Sequence, residues 1–123
     1  MVEEINPVQK LQLELMRLAS FNYFDGGKVV DDIVCNKGLW RGVVMDCEPE
    51  NKRINLIKLR DIEDGLWNVD TVFILPEEGR ERELEELART WGADEVGWIT
   101  RKEAQDRPRS WGQGYRELRI WWD

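Results

Sequence analysis

Histidine is absent from all 123 residues. The commonest general base and the commonest metal ligand are therefore missing. Neither a Ser-His-Asp nor a Cys-His nucleophile arrangement can be assembled within this chain. Cysteine is almost as scarce: Cys35 and Cys47 are the only two. Two thiols make no disulfide framework and cannot fill the four positions of a structural zinc site. The expectation for both is a buried free thiol. The sequence also has no apolar run of about 18 residues and no basic-then-apolar start, so neither a membrane span nor a signal peptide is expected, and the chain reads as cytoplasmic. Repeats, low-complexity stretches and linkers are missing too, which makes residues 1–123 a single globular domain.

What is present is ordinary for a folded protein, with 41% apolar and 35% charged residues. The net charge of −7 is uneven. Residues 1–99 carry 12 Lys/Arg against 21 Asp/Glu, whereas residues 100–123 carry 6 against 4. An acidic body repels phosphate and argues against nucleic acid as a general partner. Only the C-terminal segment reverses the sign.

Asn6-Pro7 is a helix start, with Asn as cap and Pro at the first helical position. Val8, Leu11, Leu15 and Leu18 recur at three- and four-residue spacing as one apolar stripe, and Leu13 and Met16 widen it. Asp25 is placed to cap a second helix with Val29, Val30, Ile33 and Val34 on its buried face, ending at Gly38. Leu39 to Asp46 then reads as a strand, and Arg53 to Arg60 as a second strand with one slip or, alternatively, a helix. Thr71 to Leu75 is apolar on both faces, the pattern of a strand covered twice in the middle of a sheet. A helix from Pro76, with Leu84, Leu87, Ala88 and Trp91 inward and Gly92 as its stop, leads to a strand from Asp94 to Ile99. Strand, helix, strand is the sequence form of a parallel crossover. Glu117 to Trp122 is a final strand, with Leu118, Ile120 and Trp122 sharing one face and Glu117, Arg119 and Trp121 the other. The fold class is α+β. The expected architecture is a single mixed β-sheet of about five strands with helices packed on it, in the order α-α-β-β-β-α-β-β, with one parallel βαβ crossover near residues 70–99.

The helix, three-strand, helix, strand order of residues 26–99 resembles the core of the restriction-endonuclease-like nucleases. Members of that family place an Asp on the second strand and Glu-x-Lys on the third. Here the matching stretches read INLIKLRD and DTVFILPE. Asn55 stands where the acid would be and the third strand has no Glu-x-Lys, so the resemblance implies loss of metal-dependent cleavage.

Three groups of residues are candidates for function. The Asp25-Gly26-Gly27-Lys28 string offers free N–H groups at a helix start, which bind anions, although helix capping accounts for the same residues. Asp61, Glu63, Asp64 and Asp70 surround one loop and could hold Mg²⁺ or Ca²⁺. In the C-terminal segment, Trp111, Tyr115, Trp121 and Trp122 interleave with Arg107, Arg109, Arg116 and Arg119. Arg with aromatics anchors protein interfaces or stacks single-stranded bases. The leading expectation is a non-catalytic interaction or regulatory module without a cofactor. It would dock a protein partner or a second copy, as a homodimer, through Arg109, Trp111, Tyr115, Arg119 and Trp121 on the terminal strand. The alternatives are a divalent-metal carboxylate enzyme at Asp61 to Asp70 and single-strand binding by the tail.

Overall fold

The computed structural model describes residues 5–21, 24–46, 62–65, 69–99 and 117–122. Helix α1 (Pro7–Leu18) begins as the sequence dictates, with the Asn6 side chain accepting a hydrogen bond from the Gln9 N–H at 2.9 Å. A two-stranded antiparallel ribbon, β1 (Ser20–Phe21) with β2 (Phe24–Asp25), turns the chain into α2 (Gly26–Cys35). The Asp25 carboxylate caps α2 by accepting from the Lys28 N–H. A 3-10 turn at Lys37–Leu39 leads to β3 (Trp40–Asp46), then β4 (Thr71–Pro76), α3 (Glu81–Ala88), β5 (Glu95–Ile99) and β6 (Glu117–Trp121).

The α+β class holds, but the sheet is wired differently from the expectation. Its order is β3-β4-β6-β5, and every neighbouring pair is antiparallel. Strands β4 and β5 do run in the same direction, because each is antiparallel to β6. They are not neighbours: the last strand lies between them. The α3 connection thus skips one position in the sheet, which local periodicity cannot reveal. The expected fifth strand at Arg53 to Arg60 lies outside the described residues, as does the Asn55 comparison with the nucleases. The described sheet has four strands.

One face of the sheet forms the core. Two rows of side chains cross all four strands: Met45, Val72, Ile120 and Val96, then Val43, Ile74, Leu118 and Trp98. Leu13 and Met16 of α1, Val29, Val30 and Ile33 of α2, and Leu84 and Ala88 of α3 join them in one buried cluster. β4 is buried at all six positions, as its unbroken apolar run requires. Phe73 and Leu75 point to the opposite face and are buried outside that cluster.

Three buried tryptophans tie the core to the backbone and to α2. Trp40 Nε1 donates to the Ile33 carbonyl at 2.8 Å, Trp122 Nε1 to the Trp91 carbonyl at 3.4 Å, and Trp91 Nε1 to Asp32 Oδ2 at 2.9 Å. Partial desolvation pushes the Asp32 carboxyl up. The hydrogen bonds from Trp91 and Lys28, with the Lys28 charge, outweigh it and hold the group below the usual carboxylate range. Phe24 meets Trp122 edge-on at 4.7 Å between ring centroids.

Three local expectations need correction. The third helix starts at Glu81 rather than Pro76, because Glu77–Arg80 form a turn in which Gly79 takes φ +83°. α2 ends at Cys35, three residues before Gly38. Cys35 is exposed rather than buried, since it falls on the outer face of α2 beside Val34. Gly92, in contrast, ends the turn after α3 at φ +73°, the left-handed conformation expected of a terminating glycine.

Candidate functional site

The largest departure from sequence logic is on α1. Its apolar stripe does not face the core: Val8 is 79%, Leu11 67% and Leu18 77% exposed, and Leu15 is half-buried. A helix advances about 100° per residue, so these four residues lie roughly 130° around the axis from Gln9, Gln12, Leu13 and Met16. That second set, half polar, is the one turned inward. The reason lies in β3, an edge strand of the described sheet, whose backbone needs partners on its open side. The Gln9 carboxamide supplies both halves of a peptide-like pair. Its Nε2 donates to the Val43 carbonyl at 2.7 Å and its Oε1 accepts from the Val43 N–H at 2.9 Å. Gln12 Oε1 accepts from the Met45 N–H, also at 2.9 Å. Two glutamines therefore stand in for a neighbouring strand, and α1 turns Val8, Leu11 and Leu18 outward to place them.

The junction of α1 and α2 fixes that orientation. A Cβ on Gly26 would collide with the Met16 and Ala19 carbonyl oxygens, so only glycine lets α2 start against the end of α1. Arg17 and Asp31 add an exposed ion pair at 2.7 Å across the two helices. The Asp25-Gly26-Gly27-Lys28 string is thus explained by a cap and a close approach. Lys28 itself is paired with Asp32 at 3.0 Å.

The terminal-strand candidates divide. Arg109, Trp111 and Tyr115 lie outside the described residues. Arg119 and Trp121 lie on the face of β6 away from the core cluster, as the pleat predicts, and both are half-buried. Across that face run Thr71, Trp121 and Glu95 in one row, and Phe73, Arg119 and Gly97 in the next. Arg119 Nη1 meets Glu95 Oε2 at 3.0 Å. β6 is an interior strand, hydrogen-bonded on both sides, so it offers no free edge for strand addition. Trp40, Trp91, Trp98 and Trp122 all place their indole N–H on an acceptor, whereas Trp121 Nε1 is enclosed and has no hydrogen-bond partner among the described residues.

The loop carboxylates do not converge. Asp61 lies outside the described residues, and Glu63 and Asp64 are exposed in the turn at 62–65. Asp70 accepts from the Thr71 hydroxyl at 2.7 Å beside β4. Among the described residues, no group of three or more Cys, Asp or Glu side chains is placed to hold a metal ion. A shallow groove of about 510 Å³ runs along α3 beside Trp98, lined also by Glu81, Arg82, Glu85 and Glu86. Its carboxylates are engaged: Glu85 accepts from Trp98 Nε1 at 2.6 Å and pairs with Arg89 at 3.0 Å, and Glu81 caps the Gly79 N–H. Among the described residues no helix is long and apolar enough to cross a membrane.

The sequence held a signal for α1 that could have been weighed differently. Val8 and Leu15 are seven residues apart, and so are Leu11 and Leu18. That is the narrow seam of a helix that packs on another helix, and the two glutamines on the neighbouring face marked the side turned to the sheet. Comparison with protein-family profiles, curated proteins and solved structures finds no match to this chain.

Proposed function

We propose that this protein is a non-catalytic interaction module that docks another polypeptide through the outer face of α1. One observation carries the reading: Val8, Leu11 and Leu18, three large apolar side chains on one face of a well-anchored helix, stand at two-thirds exposure or more. Contiguous exposed apolar surface rimmed by polar groups marks binding sites in soluble proteins. Folding does not need these side chains in water, because the glutamines and Leu13 and Met16 already attach α1.

The test is photocrosslinking in the protein's native cells, with a photoreactive side chain at position 8 or 11 and, as control, at position 10 on the polar face. The stripe should give polypeptide adducts, identified by mass spectrometry, that position 10 does not give. An equal absence of adducts from both faces would remove the reading.

A further inference from the structure

We draw no further inference here: the strongest candidate, the exposed apolar face of α1 at Val8, Leu11 and Leu18, is the surface already proposed for docking, and nothing in the structure shows what covers it.

Discussion

Replacing Gln9 tests the idea that a side chain takes the place of a strand. In the native protein its carboxamide accepts from the Val43 N–H and donates to the Val43 carbonyl, at 2.9 and 2.7 Å. Gln9→Ala removes both partners at a half-buried edge. A net hydrogen bond contributes about 0.5–1.5 kcal/mol, and a desolvated group left unpaired costs about 1–3 kcal/mol. The expected loss is therefore about 1–3 kcal/mol, which for a chain of this length lowers Tm by about 3–6 °C per kcal/mol in a thermal melt. Gln9→Glu is the sharper variant. Its carboxylate still accepts from the Val43 N–H but turns a second lone pair toward the Val43 carbonyl, and only the protonated form restores the donor. The native state thus favours protonation and raises the pKa of the introduced carboxyl above its unfolded value of about 4.3. A raised folded pKa contributes stability that is present below the unfolded value and lost as pH rises through the folded one. The deficit of Gln9→Glu relative to the parent chain should shrink as pH falls from about 7 toward 4, whereas that of Gln9→Ala should not change. Equal pH dependence of the two deficits, or a Gln9→Ala variant as stable as its parent, would refute the strand-mimic account.

Two further outcomes follow from the same packing. Gly26→Ala forces a Cβ onto the Met16 and Ala19 carbonyl oxygens and should cost about 3 kcal/mol or more in urea unfolding, since backbone, not a yielding side chain, is in the way. The Asp32 carboxyl, held below the usual range by Trp91 and Lys28, binds fewer protons folded than unfolded. Its share of stability is present above about pH 4 and lost as pH falls through the depressed value, so Asp32→Asn should flatten the acid limb of a stability–pH curve below about pH 4.

Much of the fold was legible residue by residue. Asn6 and Asp25 announce their helices because a short acceptor before an amphipathic run has little else to do. Thr71 to Leu75 could be placed at the sheet centre because an unbroken apolar strand must be covered on both faces. The inward trio Leu118, Ile120 and Trp122 follows from the pleat alone, and all three are buried. What failed is non-local. Nothing in residues 70–99 tells that a segment some twenty residues later will enter between its two strands. The outward turn of α1 was hidden for a different reason. Counting apolar residues assigns the stripe to the core, whereas the need to terminate the β3 edge assigns the glutamines there, and the second requirement prevailed. The faces of the terminal strand follow from the pleat, but its place between β4 and β5 does not, because position in a sheet depends on partners and not on order along the chain.

That late insertion has a consequence for how the molecule is completed. While the polypeptide emerges from a ribosome, β5 has been made but the strand that bonds it to the rest of the sheet has not. β3, β4 and the three helices can gather early, yet closure waits for residues 117–121, which must thread into a slot flanked on both sides rather than add at a margin. Folding should therefore end with one slow, all-or-none step, and a nascent chain halted before residue 117 should present β4 and β5 as two unsatisfied ladders to whatever chaperone attends it.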